Sequence, residues 1–166
     1  MCCLWFGVNE SAFSSMNKES KSTIAFKLAS EADRGFLLAL RKASMDEHLI
    51  TAGIVLNDQQ HMQRVDEFFS DSHLILVNNQ RIGLLKLGMF SDHIHIRQFQ
   101  ILPGYHGLGI GSLILDMIKR KAIEKQVSIT LNVLLNNPAK QLYLRHDFIV
   151  SGVNELEYSM RWQRPQ

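Results

Sequence analysis

The feature that most constrains this chain is a strand, a glycine turn and a helix in immediate succession. His93 to Leu102 is long and β-prone and stops at Pro103-Gly104. Gly104-Tyr105-His106-Gly107-Leu108-Gly109-Ile110-Gly111 follows. Ile110, Leu113, Ile114, Met117, Ile118 and Ala122 then recur at helical spacing and predict one apolar stripe. Lys119, Arg120, Lys121 and Lys125 crowd the far end of that helix, where its dipole favours cations. Backbone N–H groups at a helix start have no partner within the helix and attract anions. Gly107, Gly109 and Gly111 would let a phosphate approach them closely. The same glycines suit a plain strand-to-helix turn, and the turn alone leaves both readings open.

The elements around it predict a mixed α/β domain. Thr23 to Leu28 alternates as a strand, and Ser30-Glu31-Ala32-Asp33 offers a cap and early acids for a helix over 31–44. A second helix is expected over 58–69. Strands at 73–77 and 81–89 flank the tight turn Asn78-Asn79-Gln80 and read as a hairpin. Val127 to Leu135 is β-prone and mostly apolar, as for a strand buried on both faces. Pro138 opens a short helix through about 146. Two last strands are expected at 148–150 and 155–162. Residues 1–20, rich in Ser, Asn and Lys from Asn9 onward, read as a poorly ordered leader, with one domain over 21–163.

Spacing separates the nucleotide-binding possibilities. A P-loop needs Lys-Ser/Thr after its last glycine, and Ser112-Leu113 stand there. A dinucleotide fold needs GxGxxG and an acid ending the next strand; this turn is GxGxG, and Asn136-Asn137 follow that strand. A coenzyme A site needs pyrophosphate-binding amides and an exposed strand edge for the pantetheine amides, which the long strand before the turn offers.

Gln100-Ile101-Leu102-Pro103-Gly104-Tyr105-His106-Gly107-Leu108-Gly109-Ile110-Gly111-Ser112 resembles motif A of the GCN5-related N-acetyltransferase (GNAT) superfamily, Gln/Arg-x-x-Gly-x-Gly/Ala. His106 stands at the Gln/Arg position. Asn136-Asn137-Pro138-Ala139-Lys140-Gln141-Leu142-Tyr143-Leu144-Arg145-His146-Asp147-Phe148 resembles the second signature, Asn-x-x-Ala-x-x-Leu-Tyr-x-x-x-Gly-Phe, with Asp147 for the glycine. Both lie at the expected separation with a strand between, and the resemblance spans about residues 22–162. It implies a mostly antiparallel mixed sheet with a central splay, flanked by about four helices.

It also implies an acetyl-CoA-dependent N-acetyltransferase in which an amine attacks the thioester directly. Phe99, Gln100 and Ile101 would offer backbone N–H groups to the acetyl oxygen, and Ile101 would pair with the pantetheine arm. His106 to Ser112 would hold the pyrophosphate. Tyr143 would donate to the leaving thiolate. Asn136 and Asn137 are candidates for a cofactor contact or for capping the helix at Pro138. Arg145 or Lys140 would reach the ribose phosphate. His93, His95 and Arg97 share one strand face. His95 is the candidate base, directly or through water, or a histidine bonded to a neighbour. His93 with His95 has no visible third ligand, so no metal is expected. The acceptor, a small-molecule or protein amine, is expected to enter over residues 34–70, where Asp46 and Glu47 would attract an amine or merely end a helix. A non-catalytic acyl-CoA-binding module on the same fold is the alternative.

Composition excludes broad classes. The apolar fraction of 46% and charged fraction of 20% are ordinary for a globular domain. A net charge of +2 gives no field for nucleic acid. Cys2 and Cys3 are adjacent and cannot staple a fold, which suits a reducing cytoplasm. No run approaches the roughly 20 apolar residues a bilayer span needs, so no membrane partner is expected. Dimers are common in the superfamily, so a homodimer is admitted, though no long apolar surface pattern marks one.

Overall fold

The computed structural model describes residues 23–165; the leader and both cysteines lie outside them. Seven strands form one sheet with four α-helices packed on it. In chain order these are β1 (Ile24–Leu28), α1 (Arg34–Thr51), α2 (Asp58–Asp66), β2 (Ser72–Val77), β3 (Gln80–Met89) and β4 (His93–Ile101). Then come α3 (Ile110–Lys125), β5 (Ser128–Leu134), α4 (Ala139–Arg145), β6 (Ile149–Val153) and β7 (Glu157–Trp162). The sheet order is β1-β2-β3-β4-β5-β7-β6, antiparallel at every pair except β4 with β5.

The expected order of elements matches, and two helix ends differ for local reasons. α1 runs past residue 44 because nothing breaks it before Gly53, whose φ of +78° closes it. α2 stops at Asp66 rather than 69, and Phe68 just beyond adopts a left-handed backbone. The β2–β3 turn places Asn78 and Asn79 at φ 50° and 64°, the two positive values that a two-residue hairpin turn with matching twist requires.

A large core on one side of the sheet centres on α3. Ile110, Ile114, Leu115, Ile118 and Ala122 are its buried residues, while Leu113 is exposed. The stripe is therefore rotated from the predicted one toward Leu115. Burying Ile114, Leu115 and Ile118 stabilises the fold by about 1.5–3 kcal/mol each, and Ile114→Asp would break this layer. A smaller core of Leu37, Leu40, Val65, Leu74 and Leu84 joins α1 and α2 to the sheet.

The sheet is not continuous at its centre. β4 and β5 pair only from His93–Ser128 to Ile96–Leu131, after which no ladder joins them. On its other side β4 stays paired with β3 to Ile101, with Arg97 as an extra bulged residue opposite the step from Lys86 to Leu87. The strands thus splay beyond Ile96. Asn132 in the second half of β5 is exposed, so that strand is not buried on both faces as expected.

Candidate active site

The splay leaves one edge of β4 without a partner strand. Leu102 N–H donates to Ile82 O on the β3 side at 2.8 Å. Antiparallel alternation then gives the backbone groups of Gln100 to β3 and turns those of Phe99 and Ile101 toward the opening. His106 Nε2 lies 2.7 Å from Ile101 O and caps that carbonyl. The departure at position 106 therefore places an imidazole on the edge expected to take pantetheine.

The turn after β4 presents amides. Gly107 and Gly109 have φ of +75° and +78°, a left-handed backbone costly for other residues, and a Cβ at either would meet open space. Leu113 N–H bonds Gly109 O, so the N–H groups of Ile110, Gly111 and Ser112 have no partner within the helix, and no side chain caps it. Gly111 differs. A Cβ there would lie 3.0 Å from Leu142 Cδ2, so this glycine serves the approach of α3 to α4 rather than of a ligand.

Two clefts flank the splay. The first, of about 470 Å³, runs over the turn and is walled by Gly107, Gly109, Gly111, Ser112, Leu142 and Arg145. The second, of about 540 Å³, lies between α1, the end of α2 and the β6–β7 turn. Met45, Phe99, Gln100, Asn137, Ala139 and Tyr143 line both, so the clefts meet there.

Most residues singled out in the sequence gather around this junction. Tyr143 is buried, its ring edge-on to Phe148 at 5.7 Å, and burial raises its phenol well above the ordinary value. It stays a neutral donor across the working range. His95 lines the second cleft with Nδ1 2.8 Å from Thr130 Oγ1. Burial, then Arg97 and His93, lower its pKa, so it is neutral at neutral pH. His93 stacks on Phe90 and contacts Asp92, and it lines neither cleft. Asn137 Oδ1 accepts from Ala139 N–H at 2.9 Å and caps α4. Asn136 lies outside both clefts and donates to His48 O. Leu108 is exposed and also outside them. Arg145 faces the first cleft, whereas Lys140 lies over Tyr158 at 3.5 Å. Asp147 occupies its turn at φ 63°, a left-handed value that Asp tolerates, and pairs with Lys119.

The second cleft holds residues the sequence reading passed over. Asp46 faces His61 Nε2 at 3.1 Å rather than the cleft. The cleft instead carries Arg41, Arg64, Lys86 and Arg97 against Glu67 and Glu157. Lys86 is buried in the middle of β3, its Nζ donating to Glu67 O at 2.6 Å and Val65 O at 3.1 Å at the end of α2. Burial pushes its pKa down to about 8. Arg97 stacks on Phe68, 3.5 Å from the ring centroid, and occupies the space beside Gly88, where a Cβ would lie 2.7 Å from it. A signal was present for Lys86, a lone cation inside the apolar run Ile82-Gly83-Leu84-Leu85-Lys86-Leu87, whereas Arg41 only ends the run Leu37-Leu38-Ala39-Leu40 and is followed by Lys42.

No helix among the described residues is long and apolar enough to cross a membrane. No curated protein matches the chain. Among solved structures it is similar to Ard1 from Thermoplasma volcanium at 15% identity and TM-score 0.63, covering 84% of this chain and 96% of that one. It is similar to PaiA N-acetyltransferase from Thermoplasma acidophilum in complex with coenzyme A at 15% identity and TM-score 0.65, covering 86% and 99%. It is also similar to Arabidopsis thaliana Naa50 in complex with the bisubstrate analogue CoA-Ac-MVNAL at 16% identity and TM-score 0.61, covering 85% and 99%. At these identities the likeness establishes the fold. Residues 70–150, which hold the splayed strand, the glycine turn and the helix bearing Tyr143, match the family model described as the acetyltransferase (GNAT) domain, and the chain belongs to the GNAT superfamily.

Proposed function

We propose that this chain transfers an acetyl group from acetyl-CoA to an amine by direct attack, with both substrates held at once. The observation that carries the reading is the meeting of the two clefts at Phe99, Gln100 and Tyr143. The glycine-turn cleft suits coenzyme A, which the PaiA structure contains, and the second cleft is left for the acceptor. Bound acetyl-CoA supplies an activated thioester. The N–H groups of Ile110, Gly111 and Ser112 bind pyrophosphate oxygens in a backbone with room for them. The N–H groups of Phe99 and Ile101, turned to the open edge, are the donors available to an acetyl oxygen as charge develops on it.

Tyr143 serves as a hydrogen-bond donor to sulfur. Its raised pKa makes full proton transfer to a thiolate uphill, since free thiols titrate near ~8.5. His95, neutral and fixed by Thr130, takes the amine proton. The test is coenzyme A thiol release across a panel of amines, run from about pH 5 to 9. Transfer is expected to fall on the acid side as His95 protonates, and His95→Ala is expected to remove that limb. Tight acetyl-CoA binding without transfer to any amine would identify a binding module instead.

A further inference from the structure

Arg41 is the unusual residue of the second cleft. It follows Leu40 on the buried face of α1, whose other buried residues are Leu37, Leu40 and Leu49, and it is only 8% exposed. Its Nε is buried without a hydrogen-bond partner, and no ion pair to its guanidinium occurs among the described residues. Burying a charge without a partner costs several kcal/mol. Nearby acids offset only part of this cost: Asp46 and Glu67 favour the charge at longer range, and Arg64 opposes it. Glu67 is already paired with Arg64 at 3.0 Å. The other cations of the cleft are engaged, Lys86 by two carbonyls and Arg97 by the Phe68 ring and an ion pair with Asp71 at 3.7 Å, although the Arg97 Nε, too, makes no hydrogen bond.

A second buried polar group lies beside the same space. Gln100 is 6% exposed, lines both clefts, and its Oε1 is buried without a partner. The cleft therefore presents an unpaired cationic donor on its α1 wall, with Gln100 standing where it meets the glycine-turn cleft. An oxyanion satisfies that donor.

Building on the proposed transfer reaction, we infer that the acceptor is an amine that also carries an oxyanion, carboxylate or phosphate. That oxyanion is paired with the Arg41 guanidinium. Arginine suits this role because its planar fork binds either anion through two parallel N–H bonds. Glu157, on β7 across the splay, lines the same cleft and disfavours dianions there.

The test measures binding separately from turnover. The protein, with and without saturating coenzyme A, is titrated by calorimetry with N-acetyl amino acids of several chain lengths, their carboxamides, and N-acetyl phosphoethanolamine. The oxyanion-bearing ligands are expected to bind about 30-fold tighter than matched amides, the worth of a charge-assisted pair. The carboxylate and phosphate arms identify the anion. Arg41→Met is expected to erase the gap, and Arg41→Lys to leave only a few-fold of it. Amides binding as tightly as acids, an undiminished gap in Arg41→Met, or no binding by any ligand overturns the inference. Should Arg41→Met not fold, Arg41→Lys and the wild-type gap decide. Acid-selective binding with no transfer to any amine sinks the transfer reading alone; efficient transfer to neutral amines only sinks the present inference alone.

Discussion

The two clefts are built from different materials. The glycine-turn cleft is mostly backbone: left-handed glycines, free first-turn amides and a strand edge, all from one segment near residues 99–112. The second cleft is mostly side chains, brought by α1, α2, β3, β4 and the β6–β7 turn. Among the residues lining the first, Arg145 is the one Lys, Arg, Asp or Glu; the second holds four Lys and Arg side chains, two of them deeply buried. A backbone site recognises a shape common to many ligands and costs the fold little. A site of buried charge is specific and costs stability until its ligand arrives. The contrast predicts that stability defects concentrate in the second cleft and cofactor defects in the first.

The largest expected effect lies in the second cleft, at Lys86. Its pKa falls from 10.5 to about 8 on folding. Below pH 8 the amine is charged in both states, and folding bears the full penalty. Between about pH 8 and 10 the unfolded chain binds the proton and the folded chain does not, so stability rises with pH. The span corresponds to roughly 3 kcal/mol. Denaturant titrations at pH 7 and 10 should show this rise in the wild type and lose it in Lys86→Met. Equal slopes in the two proteins would mean that the buried amine is compensated by its carbonyls, and the asymmetry between clefts would weaken.

Tyr143 belongs to both clefts and tests their junction. Tyr143→Phe keeps the packing on Phe148 and removes only the hydroxyl. A hydrogen bond to a developing charge is worth about 1.5–3 kcal/mol, so kcat should fall about 50-fold while coenzyme A affinity is unchanged. A matching loss of affinity would make Tyr143 part of the cofactor wall rather than of the chemistry.

The difference in material also explains what was legible in the sequence. Gly107 and Gly109 sit in a contiguous motif, and their meaning depends on neighbours within a few positions. The element order followed from periodicity, because strand and helix patterns are local. The splay was expected only through resemblance, since no residue of β4 or β5 marks where pairing stops. Arg41 and Lys86 stand far apart in sequence, and their burial depends on α1 and α2 packing over β3. Asp46, read either as a lure for an amine or as a helix-end charge, turns to His61, a buried partner 15 positions away that no local pattern announces. The Arg97 bulge has no composition signal either; it appears only when β3 and β4 are aligned.

The smallest effects separate the glycines within the first cleft. Gly109→Val forces a β-branched residue into φ near +78°. That strain, with a side chain beside the amides, should weaken coenzyme A binding about 30-fold by calorimetry, the left-handed penalty alone being about 1–2 kcal/mol. Gly111→Ala meets Leu142 Cδ2 at 3.0 Å, the end of a flexible side chain that can shift by a few tenths of an ångström. Its φ is unexceptional, and alanine favours the helix by about 1 kcal/mol over glycine. Contact strain and propensity then nearly cancel in stability, leaving at most about a threefold loss of affinity through a small displacement of α3 from α4. Equal losses at Gly109 and Gly111 would assign both glycines to ligand approach; a far larger loss at Gly109 assigns the left-handed turn to the phosphate and Gly111 to the spacing of the two helices.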